Sequence, residues 1–409
     1  MINLRFLKFI ILTSILYACG NSSEQEEVVE NPPVFDIQWA TLINNEAGLV
    51  GSEQQQFYKD HFINYGDIDS TATIYGFNAD TGEKDWTHTY RGADDPFKIH
   101  WNLRFENLII ASTQNRFFAF NLDTQEIEWQ LNINQLHFRP GVHNLAENNM
   151  VYFVVDYFQG TFHEVRLLEF EPYNGDYRNI YTFEDDSLGF KNVSPPAYFK
   201  KDGEGYLVFN EYEAYDSAPQ FGIQNLTAIN LETKERLWHR KNISDAYPSN
   251  GLYPPVIHNN TVITGGDGTL YAFDLLTGKS KWSFDTGEFT GAWGSTKNLI
   301  HNNRLYANPT GFDIYCLNPE TGELIWENDV APNCTDNMLY YEKEDALVFT
   351  SWGYGAVMVL DALTGKLIHR ETRYASSEYN NDIAYDPVRD LFFTTTYYHA
   401  IAFKLNIPN

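Results

Sequence analysis

Residues 271–282 read YAFDLLTGKSKW, and this pattern returns along the chain. Copies lie at 315–326 (YCLNPETGELIW) and 75–82 (YGFNADTG, leading to Trp86), with weaker ones at 118–129, 227–238, 358–369 and 168–181. In each copy an alternating stretch ends at a residue such as Asp274, whose side chain can bond to the following backbone, and a turn such as Thr-Gly reverses the chain. Each copy therefore predicts a β-hairpin, most often with Trp at a fixed place in its second strand.

The spacing of these hairpins predicts the fold. Two further strands precede each copy, as at 255–257 and 261–264, and four short strands in about 43 residues is the period of a propeller blade. The apolar anchor of the repeat recurs eight times: Phe77, Phe120, Phe170, Ile229, Phe273, Leu317, Leu360 and Phe403. We therefore predict an all-β chain that forms a single β-propeller of eight four-stranded blades.

The two ends of the repeat array complete each other. The last copy ends after Phe403 without a Trp strand, whereas 37–39 is a Trp strand without a hairpin strand before it. We expect the N-terminal strand to become the outer strand of the last blade, because closure removes the sheet edges that an open array would expose. Six of the nine Trp residues then occupy one repeat position, where they pack between blades.

The N-terminus is typical of a secreted, lipid-anchored protein. Residues 1–18 have a basic start and an apolar run shorter than the roughly 20 residues of a membrane-spanning helix, which predicts a signal peptide. Their end resembles a bacterial lipobox, which implies lipidation of Cys19; ordinary cleavage or an uncleaved N-terminal anchor are the alternatives. Residues 19–33 are polar and acidic, predicting a flexible tether before a propeller at 34–409, and loosely resemble the surface-export signal of Bacteroidota lipoproteins.

Charge narrows the range of partners. Removing residues 1–18 takes away Arg5 and Lys8, which leaves 26 basic against 55 acidic residues and a net charge near −29. Such a surface repels nucleic acid and anionic headgroups, so we expect no nucleic-acid partner and membrane contact through the lipid anchor alone. The other two cysteines, Cys316 and Cys334, could form a disulfide in an oxidising compartment or remain two unpaired small residues.

The repeat strand, the Thr-Gly turn and the Trp offset resemble the pyrroloquinoline-quinone-type (PQQ-like) propeller repeat over about residues 34–409. That family includes quinone-dependent dehydrogenases and the lipoprotein propeller subunit of the outer-membrane β-barrel assembly machinery. Lipidation and an isolated propeller suit the second type. The resemblance therefore implies a monomeric, non-catalytic scaffold for envelope proteins, lipid-anchored at the outer membrane, with the periplasmic or cell-surface side left open.

The order of the strands in a propeller places the loops on two opposite faces. The Thr-Gly turns lie on one face, which we call the Thr-Gly face. The blade-to-blade connections and the segments before each repeat strand lie on the other, which we call the insertion-bearing face. The longest insertions, 156–160 and 211–216, are predicted loops of blades three and four, and long loops mark the working side of a repeat array. The candidate binding residues here are His100, Trp101, His137, Arg139, Tyr157, Tyr212, Tyr215, Trp293, Asp336, Asn337, Trp352, Tyr354, Asn381 and Asp382.

Two chemistries compete with the scaffold hypothesis. Trp293 and Trp352 lie outside the repeat Trp position, and aromatics beside amides suit either a glycan or small ligand at the channel mouth or a peptide. A divergent oxidoreductase would need PQQ with calcium, and family dehydrogenases often close an adjacent-cysteine disulfide over that cofactor, which this chain lacks. Asp336-Asn337 and Asn381-Asp382 resemble fragments of such a site, but these pairs are common in turns. We expect no cofactor, no metal and no catalytic residue.

Overall fold

The structure is a computed structural model in which residues 33–43, 56–68, 71–90, 101–112, 116–132, 136–145, 148–159, 162–183, 191–215, 218–246, 254–266, 268–287, 298–308, 313–329, 338–351, 354–374 and 382–408 are described. The β-structure lies in a compact unit, Val34–Asn409. Cys19 and the predicted signal peptide lie outside the described residues. Among those that are described, no helix has the length and hydropathy needed to cross a membrane.

The strands form eight antiparallel sheets, the blades of a propeller. Strand β1 (Phe35–Leu42) belongs to the last blade. Blade 1 contains β2 (Gln56–Tyr58), β3 (His61–Ile68), β4 (Thr71–Asn78) and β5 (Lys84–Tyr90). Blade 2 contains β6 (Trp101–Phe105), β7 (Leu108–Ser112), β8 (Arg116–Asn121) and β9 (Glu126–Asn132). Blade 3 contains β10 (Leu136–Leu145), β11 (Val151–Gln159), β12 (Phe162–Phe170) and β13 (Tyr177–Thr182).

Blade 4 contains β14 (Lys191–Val193), β15 (Ala197–Lys201), β16 (Glu204–Tyr215), β17 (Ala218–Asn230) and β18 (Arg236–Ala246). Blade 5 contains β19 (Val256–His258), β20 (Thr261–Gly266), β21 (Thr269–Asp274) and β22 (Ser280–Asp285). Blade 6 contains β23 (Leu299–His301), β24 (Arg304–Ala307), β25 (Ile314–Leu317) and β26 (Leu324–Asn328). Blade 7 contains β27 (Leu339–Tyr341), β28 (Ala346–Ser351), β29 (Ala356–Asp361) and β30 (Leu367–Glu371). Blade 8 contains β31 (Ala384–Asp386), β32 (Leu391–Thr395), β33 (His399–Leu405) and β1.

The predicted eight-bladed propeller is confirmed, with one departure in blade 4. There the inner position is shared by β14 and β15, which both pair with β16. Pro195 and Pro196 lie between them, and proline has no N–H to continue the ladder. The inner strand is therefore split while the other three strands continue.

The ring closes as the sequence predicts. Strand β1 pairs antiparallel with β33, from Phe35 opposite Leu405 to Leu42 opposite His399. The Phe35 and Phe403 rings stack with centroids 3.9 Å apart. The N-terminal strand therefore supplies the outer strand of blade 8, and both ends of the repeat array share one sheet.

The core is divided among the seams between neighbouring blades. Alternate side chains of each strand point to opposite sides of the blade. Eight apolar clusters result, and each joins two successive blades around the ring. Cys316 is free and buried in the cluster between blades 6 and 7. Cys334 lies outside the described residues.

A Trp–Gly lock reinforces five of these seams. In each, an outer-strand Trp lies against the turn glycine of the next blade, where an added Cβ would meet the ring at 2.5–2.8 Å. The indole N–H donates to a carbonyl of that turn at 2.8–3.1 Å. The pairs are Trp39–Gly82, Trp129–Gly175, Trp238–Gly278, Trp282–Gly322 and Trp326–Gly365. Packing between blades is thus confirmed as the role of these five Trp residues.

Trp86 also packs between blades, 6.0 Å from the Phe120 ring of blade 2, but it does not form the lock. It lies across Gly76 of its own blade, where an added Cβ would come within 2.1 Å of the ring. The turn of blade 2 has Gln125 at the glycine position, held at a positive φ of 57°. In the five locks a Cβ at the glycine position would come within 2.8 Å of the indole. Because Gln125 carries a Cβ at that position, we infer that Trp86 cannot lie there as the other five do.

Candidate functional site

The structure changes the prediction at the two long insertions. The segments 156–160 and 211–216 were expected to be loops, and this is wrong for most of their length. Strands β11 and β12 stay paired out to Gln159 and Phe162, and β16 and β17 out to Tyr215 and Ala218. The insertion-bearing face of blades 3 and 4 therefore carries two adjacent extended hairpins, which we call the blade 3 hairpin and the blade 4 hairpin.

Several predicted residues lie in strands that reach this face. Trp101 begins β6, His137 and Arg139 lie in β10, and Tyr215 ends β16. The remaining predicted residues of this group lie outside the described residues: Cys19, His100, Trp293, Asp336, Asn337, Trp352 and Asn381. Their roles stay predictions.

On the blade 3 hairpin, Tyr157 is held by a charged neighbour. The Arg166 guanidinium lies 3.6 Å from the centre of the Tyr157 ring, within cation–π range. The same guanidinium pairs with Glu164 at 2.6 Å, and both charged side chains are about one quarter exposed. This stack fixes the half-buried ring, which also packs against the apolar cluster between blades 2 and 3.

On the blade 4 hairpin, Tyr212 is not the surface residue that the sequence suggested. Its exposed fraction is 3%, and burial raises the pKa of its hydroxyl. Strand alternation explains the difference, because Asn210 and Tyr212 point to the blade 5 side of the sheet. Tyr212 therefore stabilises the hairpin from within and is unsuited to anchor a partner.

A buried hydrogen-bond network ties the blade 4 hairpin to blade 5. Asn210 Oδ1 accepts from Gln224 Nε2 and from Thr264 Oγ1, each at 2.9 Å. Gln224 Nε2 also donates to the Gly265 carbonyl at 3.1 Å, and Ser244 Oγ donates to Gln224 Oε1 at 2.8 Å. Asn210, Gln224 and Thr264 are almost fully buried. Buried groups satisfied in this way specify one arrangement of the two blades, because breaking one bond leaves its partner unpaired.

A second network crosses the three long strands of blade 4. Thr227 Oγ1 donates to Glu211 Oε1 in a very short hydrogen bond, and His239 Nδ1 lies 2.7 Å from the same hydroxyl. Since the hydroxyl proton goes to Glu211, the imidazole Nδ1 must donate to Thr227. Burial is the main cause that lowers the pKa of His239, to about 4, followed by the charge of nearby Arg236.

This network resembles an activated hydroxyl, but its position points to a structural role. Thr227 has no exposed surface, so a substrate could not reach its oxygen in this conformation. One step further along the hairpin, Asn225 Nδ2 donates to Glu213 Oε1 at 2.9 Å, and the Asn242 N–H donates to Asn225 Oδ1 at 2.9 Å. Together these bonds hold the extended sheet of blade 4 as a rigid support.

Two other predicted residues lie on different blades. Tyr354, between β28 and β29, is 41% exposed, and the Arg370 guanidinium lies 4.1 Å from its ring centre. Asp382 is 4% exposed, and its carbonyl accepts a hydrogen bond from Thr394 Oγ1 at 3.3 Å. They belong to blades 7 and 8, so they do not join Tyr157 and the blade 4 network in one site. Within the described ranges, no three His, Cys, Asp or Glu side chains are grouped as a metal site.

Sequence reasoning missed the residues that form the networks. A signal was nevertheless present: residues 211–215 read EYEAY, alternating polar and apolar with the period of a strand. The glutamates suggested solvent, whereas in the fold they turn toward Thr227 and Asn225. Only the fold shows that these amide, hydroxyl and carboxylate groups meet.

Comparison with known proteins agrees with this architecture. A family model described as PQQ_2, outer membrane protein assembly factor BamB, matches residues 221–339. Uncharacterized protein RC0314 of Rickettsia conorii is 26% identical over 119 residues, which cover 26% of this chain and 28% of that relative. The match thus spans about a quarter of the relative's length.

Two solved structures share the fold. BamB from Moraxella catarrhalis superposes with a TM-score of 0.58, at 13% identity, over 91% of this chain and 100% of that chain. The computationally designed Ika8 protein superposes with a TM-score of 0.60, at 13% identity, over 88% of this chain and 98% of that chain. At this level of identity the structural likeness shows the fold alone.

Proposed function

We propose that this chain, a PQQ-like β-propeller similar to BamB, is a non-catalytic scaffold of the cell envelope that binds a protein partner with the blade 3 and blade 4 hairpins. The observation that carries the proposal is that both insertions extend the strands of their blades. A surface made of paired strands is already ordered before binding, so less conformational entropy is lost when a partner docks.

The two hairpins also supply the chemistry of a protein interface. Tyr157 and Arg166 belong to residue types that dominate the binding energy of such interfaces. Beneath the surface, the bonds of Asn210, Gln224 and Thr264 hold the blade 4 hairpin in one position relative to blade 5. Rigid support of this kind keeps contact residues in register with a partner.

The proposed location follows from the N-terminus and from the relatives. The family description names an outer membrane protein assembly factor. The lipobox-like sequence ending at Cys19 would attach the present chain to a membrane by acyl chains, each methylene contributing about 0.8 kcal/mol. We place the scaffold at the outer membrane on these grounds.

Site-specific photo-crosslinking tests the proposed surface. A photoreactive amino acid is placed at Gln159 or Ala218, at the ends of the two hairpins, in the full-length protein in native envelopes. A matched probe replaces Val388, which is 88% exposed on the Thr-Gly face. We expect the same protein adduct from both hairpin positions and none from Val388. Adducts from Val388 alone, or from none of the three positions, would overturn the proposal.

A charge reversal separates binding from folding. Arg166→Glu removes the cation–π contact with Tyr157 and places like charges beside Glu164. Arg370→Glu makes the same kind of change beneath Tyr354 on blade 7. We expect the first variant alone to lose the adduct while both keep the far-UV spectrum of the wild type. If neither variant loses the adduct, Tyr157 and Arg166 do not form the contact. If no adduct forms at all, a glycan-binding assay with Trp293→Ala and Trp352→Ala becomes the next measurement.

A further inference from the structure

Carboxylates that accept a hydrogen bond from a tyrosine hydroxyl recur at the seams of the Thr-Gly face. Between blades 1 and 2, Asp123 accepts from the Tyr58 hydroxyl at 3.0 Å, and the Lys59 ammonium forms an ion pair with the same carboxylate. Lys59 Nζ also lies 5.0 Å from the centre of the Tyr58 ring. A tyrosine, a carboxylate and a cation of the same chain thus complete this group.

The seam between blades 7 and 8 repeats the arrangement with two tyrosines. Asp390 accepts from the Tyr341 hydroxyl at 2.7 Å and from the Tyr385 hydroxyl at 2.8 Å. The Lys343 ammonium pairs with the same carboxylate at 2.5 Å. At both seams, therefore, a lysine of the chain balances the negative charge of the carboxylate.

The seam between blades 2 and 3 has the tyrosine and the carboxylate without the cation. The Tyr173 hydroxyl donates to Glu106 Oε2 at 2.9 Å. Among the described residues, no lysine or arginine nitrogen pairs with the Glu106 carboxylate or lies over the Tyr173 ring. Arg104 is near, but its Nη1 donates to the Glu106 backbone carbonyl at 2.9 Å. Strand alternation directs the Arg104 side chain away from the side of Phe105, which packs toward blade 3.

The Tyr173 ring is exposed and is nevertheless held in place. Its exposed fraction is 53%, and its centre lies 5.1 Å from that of the Phe105 ring in an edge-to-face contact. Backbone bonds close the turn that carries it: the Glu171 N–H donates to the Asp176 carbonyl at 2.8 Å, and the Gly175 N–H donates to the Glu171 carbonyl at 3.0 Å. An aromatic ring that is fixed before binding loses little side-chain entropy when a partner covers it.

A second carboxylate lies beside the hydroxyl. Glu171 Oε2 accepts from the Asn174 N–H at 3.1 Å, which fixes the carboxylate within the turn. The hydrogen bond to Glu106 is the main cause that raises the pKa of the Tyr173 hydroxyl, followed by burial and by the negative charges of Glu106 and Glu171. Both carboxylates therefore act on the same end of the ring, and together they favour a positively charged neighbour.

We propose that Tyr173, Glu106 and Glu171 bind an arginine side chain of a protein partner, and we call these three residues the blade 3 turn site. Arginine is favoured over lysine because its planar guanidinium can stack on the ring and bond to a carboxylate at the same time. The net charge of −27 attracts basic segments to the molecule, and the three side chains select the position of the arginine. The site lies on the face opposite the two hairpins, so it is independent of the scaffold proposal.

The blade 3 hairpin shows the complete arrangement within one chain. Arg166 lies 3.6 Å from the centre of the Tyr157 ring and pairs with Glu164 at 2.6 Å. The partner's guanidinium would take the same place relative to its ring at the blade 3 turn site. Where an exposed tyrosine has its own arginine, as Tyr354 has Arg370 at 4.1 Å, that place is already taken.

Fluorine NMR of a small probe tests the site. The full-length protein is titrated into Nα-trifluoroacetyl-arginine amide, whose fluorine signal broadens when the probe binds. The control probe is the citrulline analogue, which has the same shape without the positive charge. We expect the wild type to bind the arginine probe about fivefold more tightly than the citrulline probe, the size of one exposed cation–π contact. Equal affinity for the two probes, or binding of neither, would overturn the proposal and leave the scaffold proposal standing.

Two pairs of variants assign the binding to these residues. Tyr173→Leu and Glu106→Gln should each weaken binding of the arginine probe about threefold or more. Tyr354→Leu should leave the affinity unchanged, because that ring already has its arginine. Asp123→Asn removes the same charge as Glu106→Gln from a site that has its own lysine, so it should also leave the affinity unchanged.

The charge pair decides between a defined site and diffuse attraction. If Asp123→Asn weakens binding as much as Glu106→Gln does, the net charge alone attracts the probe and the blade 3 turn site is overturned. Unchanged affinity in Tyr173→Leu would also overturn it. The far-UV spectrum checks the fold of each variant, and if Tyr173→Leu does not fold, the comparison of Glu106→Gln with Asp123→Asn decides.

Discussion

The seams of this propeller are of two kinds. Five carry a Trp–Gly lock, in which an outer-strand indole covers the turn glycine of the next blade and bonds to its backbone. The seams between blades 1 and 2, 3 and 4, and 7 and 8 do not. Their outer strands present Trp86, Tyr181 and His369 at the position of the lock tryptophan. Facing them in the next blade are Gln125, Lys234 and, in blade 8, the paired residues Phe35 and Leu405.

The difference shows that the Trp and the Gly work as one unit. Gln125 and Lys234 adopt the same left-handed conformation as the turn glycines, with φ of 57° and 62°. Each nevertheless carries a Cβ, and at the five lock glycines an added Cβ would come within 2.8 Å of the indole. In the seam between blades 3 and 4, hydrogen bonds take the place of the indole contact. The Tyr181 hydroxyl accepts from Arg236 Nε at 2.7 Å, and Lys234 Nζ donates to the Asn179 carbonyl at 2.9 Å. Polar bonds thus replace the lock in the seam beneath the two long hairpins.

The largest expected effect compares two tryptophans. Trp326→Ala removes an indole that is 8% exposed and bonded to the Ala362 carbonyl, and we expect it to lower the free energy of unfolding by about 3–5 kcal/mol. Trp86→Ala, in an unlocked seam, should cost less than half as much. Urea titration of both variants measures the difference. Equal losses would show that the lock adds nothing to ordinary burial.

The next effect comes from the other half of the lock. Gly278→Ala places a Cβ 2.8 Å from the Trp238 ring at φ +64°, and we expect a loss of about 2–3 kcal/mol. Gly203→Ala is the matched control, because its φ of +91° is also left-handed and nothing lies within 4 Å of the new Cβ. The control should lose only the cost of a left-handed alanine, about 1–2 kcal/mol. If Gly203→Ala lowers the free energy of unfolding as much as Gly278→Ala does, the positive φ alone explains the loss.

A smaller effect is expected at the seam that closes the ring. Arg389 on blade 8 pairs with Asp60 and Asp80 of blade 1 at 2.6 and 2.9 Å and with buried Asp386 at 3.0 Å. These hydrogen bonds, first that to Asp80, raise the pKa of Arg389. We expect Arg389→Ala to cost about 1–2 kcal/mol, most of it from the uncompensated Asp386.

The exposed pair of Lys343 with Asp390 offers the comparison for that closing seam. Lys343→Ala should lower the free energy of unfolding less than Arg389→Ala does, since exposed ion pairs are screened by water. Raising the salt concentration should weaken the contribution of Lys343 more than that of Arg389. The reverse order would mean that the contacts of Arg389 contribute less to stability than one exposed ion pair.

The smallest expected effect is an increase in the free energy of unfolding. Gln125→Gly relieves a left-handed glutamine and makes room for Trp86, and we expect a stabilisation of about 0.5–1 kcal/mol. Lys234→Gly should gain less, because it also removes the bond to the Asn179 carbonyl. Thermal unfolding of the two variants checks the order. A loss of stability in Gln125→Gly would contradict the steric explanation for Trp86.

Much of the fold could be predicted from the sequence because the repeat is local. A strand, a turn and a Trp recur within a dozen residues, and counting eight anchors gave both the number of blades and the closing strand. The place of the Trp86 indole could not be predicted in the same way, because it depends on Gln125, a residue of another blade. A comparison of each Trp with the turn that follows in the next copy would have revealed the pattern.

The candidate site was harder to predict for the same physical reason. Glu211 and Glu213 look like surface residues when only their own segment is considered. Their burial depends on Thr227 and Asn225, which arrive on the next strand with matching donors. The two long hairpins could thus be located from the length of their insertions, whereas the direction of each side chain required the pairing register.

The closing strand also has a consequence for how the protein is made. Strand β1 is among the first parts of the propeller to be synthesised, but its partner β33 is among the last. Until His399–Leu405 has emerged, β1 has no strand to pair with, and blade 8 cannot assemble. Every chain whose synthesis stops before β33 therefore keeps an unpaired sheet edge at each end of its blade array. Such edges can pair with other chains. A propeller that includes both β1 and β33 therefore has both of these sheet edges paired, whereas an incomplete one has neither paired.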